Sequence, residues 1–132
     1  MSINEIGKCM LRVVLGIIFF AHGLSKFQGG IENTVGFFDS IGIPGFVAYI
    51  VAVIELVGGI AMIVGLGTRV VALLFVGVMV GAIFTVKLPA GLLGNGDMAG
   101  YEFDLALLAI SIYFVTANTS TLSLDDKLFR SN

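Results

Sequence analysis

Charge is the scarcest thing in this chain: 12% of its 132 residues are charged, against roughly 25% in an ordinary soluble domain. So little charge cannot cover a water-exposed surface. With 58% hydrophobic residues and a mean hydropathy of +1.06, the sequence is built for lipid. A net charge of −2 and a pI near 5.1 give no basic footprint for nucleic acid. The single cysteine, Cys9, excludes an intrachain disulfide, a CxxC redox pair and a Cys-rich metal or iron–sulfur site. The single histidine, His22, cannot supply both axial ligands of a membrane haem within one chain. There is no GxGxxG after a strand and no P-loop, and no residue cluster offers a metal site. The chain carries no legible redox group of its own, so a cofactor would be a bound small molecule such as a quinone.

What is present is long apolar runs and glycine, 18 of them. A membrane span takes about 20 mostly apolar residues. Four candidates fit: Met10 to Phe27, Phe46 to Leu66 after the Pro44-Gly45 pair, Val70 to Leu88, and Tyr101 to Ala117. "VAVIELVGGIAMIVGLG" has no polar face at helical spacing. The first run loosely resembles a signal peptide, but Arg12 interrupts its start and three comparable runs follow, which favours a retained helix. The expected fold is an all-α, integral membrane four-transmembrane-helix bundle, one domain over residues 1–132.

Loop charges set an orientation. Lys8, Arg12, Arg69, Lys127 and Arg130 fall at one face; Lys26 and Lys87 fall at the other with Glu32, Asp39, Asp97, Glu102 and Asp104. That bias of five basic residues to two predicts that both termini are cytoplasmic. In the first outer loop, Val35, Phe38 and Ile41 share one side of "ENTVGFFDSIGIPG", which reads as a short amphipathic helix. "PAGLLGNGDMAG" reads as a Gly-rich loop over the bundle mouth. A short internal echo pairs "LRVVLGIIFF" with "TRVVALLFVG", placing Arg12 and Arg69 in equivalent positions and suggesting two parallel hairpins.

The polar residues inside the spans carry the functional reading. A carboxylate near mid-membrane costs about 2.5–3.5 kcal/mol on insertion scales, so Glu55 needs a reason to be there. Ala48, Ala52, Gly58 and Gly59 lie within about 60° of it, which marks a close helix contact and turns Glu55 inward. A structural ion pair or a protonated carboxyl is the competing explanation. His22 and Lys26 lie about 40° apart on the first helix, with Arg12 about 80° from His22, so the three share a face. Arg12, Glu55 and His22 are expected to form one polar column, with Lys26 at its outer mouth. Lys26 equally suits a snorkelling role, Arg12 an orientation signal, and His22 a satisfied interior residue. Glu102 fits a dipole-favoured first turn. Asp104 is deeper and is expected to face inward, pairing with Lys87 or Lys26. Tyr101 is an interface anchor or a lid. Gly77 and Gly81 form a GxxxG that serves either a homo-oligomer seam or helix contacts inside one bundle.

A pocket of cations, a histidine and carboxylates, walled by Phe19, Phe20, Phe27, Phe84 and Phe103, suits a small flat molecule such as a quinone or catechol. Glu55 and His22 are the candidate catalytic proton carriers; Arg12, Lys26, Asp104 and Tyr101 are the candidate substrate-binding groups. The stretches "LRVVLGIIFFAHGLSKF", "FFDSIGIPGFVAYIVAVIELVGGIAMIVGLGTR" and "AIFTVKLPAGLLGNGDMAGYEFDLALLA" resemble the DoxX family of small bacterial membrane proteins over roughly residues 5–130. The resemblance is closest to a branch of candidate oxidoreductases induced by catechol and methylhydroquinone. It implies a four-helix membrane protein tied to quinone, thiosulfate or thiol redox stress, acting alone or with a soluble redox partner. A transporter or channel for small aromatic or anionic solutes, and a membrane scaffold for soluble detoxifying enzymes, are the alternatives from other classes.

Overall fold

The computed structural model describes residues 2–96, 99–117 and 123–129. Asp97 and Arg130, used above for the charge bias, lie outside the described residues. The described residues are helical, with a single isolated antiparallel bridge, Gly94 to Ala99, and no strand.

Helix α1 runs Ile3–Gln28, earlier than its apolar run begins, because the Ser2 hydroxyl caps it by accepting from the Glu5 N–H at 3.1 Å. Gly30, at φ 92°, turns the chain into α2, Ile31–Ser40, the predicted short helix. Its Val35 and Phe38 are half-buried, whereas Ile41 is exposed just past its end. Helix α3 spans Phe46–Val64. It stops where Gly65 takes φ 75° and the Leu66 N–H returns to the Ala61 carbonyl, a closure that a side chain at Gly65 would strain.

Helix α4, Thr68–Ala82, passes into a π-helical turn at Ile83–Lys87 and a 3₁₀ turn at Leu88–Ala90. Pro89 explains the widening. It has no N–H to give the carbonyl one turn back, and its ring crowds that carbonyl. A short helix α6, Leu124–Phe129, follows α5, Glu102–Thr116. Asp125 of α6 accepts from the Gly67 and Thr68 N–H groups at 2.8 and 2.9 Å, satisfying the start of α4.

Among the described residues three helices are long and apolar enough to cross a membrane: Ile3–Gln28, Phe46–Val64 and Thr68–Ala90. The expected fourth, α5, has 15 residues, or about 22 Å at 1.5 Å per residue, and falls short of that length. It nonetheless packs along α4, as α1 packs along α3. Leu15, Phe19, Met62, Phe75, Leu107 and Phe114 form the shared core, and the rings of Phe19 and Phe75 stack at 3.7 Å across α1 and α4. Outward-facing Ile17, Val57, Val70 and Phe84 leave an apolar exterior of the kind that lipid covers.

Glycine sets the closest helix-to-helix approach among the described residues. A Cβ at Gly23 would lie 2.5 Å from the Leu56 nitrogen, and one at Gly59 2.5 Å from the Phe20 nitrogen. Helices α1 and α3 therefore meet backbone to backbone.

Candidate functional site

Glu55 occupies the small-residue face of α3 as expected. It is 4% exposed, and Ala48, Ala52, Gly58, Gly59 and Met62 are buried on the same side. Its partner is Lys26, from the last turn of α1: Nζ lies 2.6 Å from Oε1. The approach is off the hydrogen-bonding direction, so the contact is ionic. A buried carboxylate is tolerated only when paired, and Lys26 provides that pairing instead of standing at an outer mouth.

Arg12 does not join them. It is buried at the other end of α3, where its Nε donates to the Met62 carbonyl at 3.1 Å and its Nη2 to the Ile63 carbonyl at 3.4 Å. Cys9 Sγ lies 3.8 Å from the same Nη2. A cation over the last carbonyls of a helix satisfies orphan acceptors and the negative end of the dipole. Arg69 repeats the device: its Nη2 donates to the carbonyl of Ala117, the residue that closes α5, at 3.2 Å. The sequence echo between Arg12 and Arg69 thus has a structural counterpart, each arginine closing the helix that pairs with its own.

The expected Arg12–Glu55–His22 column is therefore divided, and helix register is the reason. Gly23 lies against Ala52 and Leu56, and Gly16 against Gly59 and Ile63. This slides α1 by about 7 Å relative to a register drawn from the helix ends. The slide brings Lys26 down to Glu55 and carries Arg12 to the end of α3.

The Lys26–Glu55 pair forms part of the wall of a cavity of about 630 Å³, lined also by His22, Lys87 and Asp104 and otherwise mostly apolar. The size and lining suit a small organic ligand. His22 is exposed, not interior; its ring stands 6.1 Å from that of Phe103, tilted by 48°. Among the described residues none hydrogen-bonds the imidazole. Asp104 also faces the cavity, its Oδ2 buried without a hydrogen-bond donor. Neither Lys26 nor Lys87 lies within ion-pair reach of it, contrary to the pairing expected from sequence.

Tyr101 is outside the lining; it caps α5, its N–H donating to the Gly91 carbonyl at 3.2 Å. Of the five phenylalanines expected as walls, only Phe19 lines the cavity; Phe38 of α2 does as well. Phe84 points outward, 66% exposed, and Phe20 is held against Gly59. Gly77 and Gly81 do not bring helices of this chain together: a Cβ on either meets nothing within 4 Å, and both line the cavity. Thr85, in the π turn, is a lining residue that sequence reasoning missed, though Pro89 marked the local distortion. Among the described residues no three of His, Cys, Asp and Glu stand together as metal ligands.

The DoxX family model matches residues 7–88. A Bacillus subtilis (strain 168) protein named "Putative oxidoreductase CatD" is 51% identical over 126 residues, covering 96% of this chain and 90% of that protein. "Uncharacterized membrane protein Rv3486" of Mycobacterium tuberculosis (strain ATCC 25618 / H37Rv) is 34% identical over 128 residues, covering 89% of this chain and 78% of that protein. "Inner membrane protein YqjF" of Escherichia coli (strain K12) is 31% identical over 76 residues, 58% of each. No solved structure matches the chain.

Proposed function

Because the chain belongs to the DoxX family, we propose that it is the membrane component of an oxidoreductase acting on quinones or catechols, serving as protection against them. The observation that carries this reading is the Lys26–Glu55 ion pair in the wall of a mostly apolar cavity of about 630 Å³. A flat aromatic ring fits the apolar part; its oxygens find the Lys26 cation and the His22 imidazole, and a hydroxyl on it finds the Glu55 carboxylate. Reducing a quinone to a hydroquinone takes up two electrons and two protons. The side chains suited to relay the protons are Glu55, Lys26 and His22. The electrons would come from a soluble reductant of the flavin or dithiol class.

In this reading residues 1–132 form a single domain in the bacterial plasma membrane, and α5 is the fourth crossing. Support comes from the mostly apolar residues that follow its acidic first turn, Leu105 to Val115, and from its place along α4. Both termini face the cytoplasm, because Lys8, Arg12 and Arg69 gather at the end of the bundle that holds α6. Arg12 and Tyr101 serve the scaffold, not the ligand.

Titration of tetramethyl-1,4-benzoquinone and 4-methylcatechol into the protein in lipid nanodiscs tests the reading. Saturable binding that is lost in Glu55→Gln supports it. The absence of binding, with solute flux into liposomes instead, would replace it by transport.

A further inference from the structure

Two pairs of opposite charges line the cavity, and they differ in state. Lys26 and Glu55 are in contact at 2.6 Å. Lys87 and Asp104 line the same cavity without meeting; Asp104 Oδ2, like Glu55 Oε1, is buried without a hydrogen-bond donor, but among the described residues it has no cation against it either. We propose that Asp104 is a specificity-determining residue of this site: it accepts a hydrogen bond from a ligand hydroxyl and so selects the hydroxyl-bearing, catechol or hydroquinone form of the ligand over the carbonyl form. The inference rests on the aromatic ligand proposed above and assigns the oxidation state that is held.

The chemistry is one of donor and acceptor. A carboxylate only accepts, and a buried acceptor without a donor is costly to leave unmatched. A quinone offers only carbonyl oxygens and cannot match it; a catechol or hydroquinone offers an O–H. Lys87, a cation of the same lining, supplies the balancing positive charge and can donate to a second ligand oxygen. Its place is set by the π turn Ile83–Lys87 immediately before the Pro89 distortion. Lys26 is less suited to that second oxygen because it is held in the contact with Glu55. Thr85 is less suited as well, since its hydroxyl donates to the Gly81 carbonyl at 2.6 Å.

The test compares three probes by calorimetric titration in nanodiscs: 4-methylcatechol, its di-O-methyl ether, and tetramethyl-1,4-benzoquinone. The native chain should prefer the catechol to the ether by about tenfold or more, the scale of one hydrogen bond to a charged group. Asp104→Asn should erase that preference while quinone binding holds or strengthens, because the amide can donate to a carbonyl, and Asp104→Glu should restore part of the preference. Thermal unfolding of both variants checks that they fold. Equal affinity for catechol and ether in the native chain, or a preference unchanged in Asp104→Asn, overturns the assignment of Asp104 while leaving an aromatic site intact. Failure of all three probes to bind overturns both readings together.

Discussion

Gly23 of α1 and Leu56 of α3 lie so close that a single added carbon at the glycine would come within 2.5 Å of the leucine nitrogen. This contact, one residue from Glu55 along the chain, fixes the level at which α1 delivers Lys26. The chemistry of the cavity therefore depends on a backbone contact outside it.

Gly23→Ala should be strongly disruptive for its size. The opposing atoms are backbone, which cannot rotate away, so the helices must part, at about 1–3 kcal/mol for overpacking. Gly77→Ala is the control: its Cβ meets nothing within 4 Å, and it should be neutral or stabilising by about 0.4–1 kcal/mol. Denaturation of both variants in mild detergent gives the comparison, and equal losses would refute the close approach.

The Lys26–Glu55 pair should behave as a coupled unit. Lys26→Met alone leaves a buried carboxylate uncompensated, at about 3–5 kcal/mol for a fully buried pair, less here because the lysine side chain is 24% exposed. The double variant Lys26→Met, Glu55→Leu removes both charges and should recover much of that loss, yet bind no quinone. A double-mutant cycle on unfolding, run beside ligand titration, separates the structural share of the pair from its functional share.

Arg12→Lys should not substitute for arginine. The guanidinium reaches two carbonyls, of Met62 and Ile63, and a lysine ammonium lacks that planar fork. Loss of one well-made buried hydrogen bond corresponds to about 1–3 kcal/mol. Fraying should appear as faster amide exchange at Gly65 and Leu66, whose N–H groups close α3, with no change at the Lys26 end of the helix.

How much of this was legible in the sequence follows from what each feature depends on. The buried face of α3 was, because a 100° helical step alone places Ala48, Ala52, Gly58 and Gly59 beside Glu55. The inward placement of Asp104 was, from the apolar run behind it. The partner of Glu55 was not. Register between antiparallel helices is fixed by which glycines touch, and aligning the helix ends misplaced both Lys26 and Arg12. Cavity walls were only partly legible: Phe19 was found, but Phe84 is turned outward and Phe38 arrives from a loop helix. The length of the last helix was overestimated at its ends, since Tyr101 and Ala117 flank α5 and lie outside it.

Gly81→Leu should separate ligand binding from folding and from assembly. Gly81 lines the cavity, is exposed, and has open space where a side chain would stand. A Cβ there meets nothing within 4 Å, so stability should change by no more than about 0.5 kcal/mol. It does take up cavity space, so quinone and catechol affinity should fall by about tenfold or more, as expected when a well-packed pocket is overfilled by a few methylenes. The same substitution addresses the GxxxG seam. If Gly77 and Gly81 joined two copies of the chain, Gly81→Leu would shift the molar mass measured by light scattering in detergent. Weakened binding is the expected outcome, because both glycines line the cavity and a larger residue takes up its space; a changed mass would add a seam between copies.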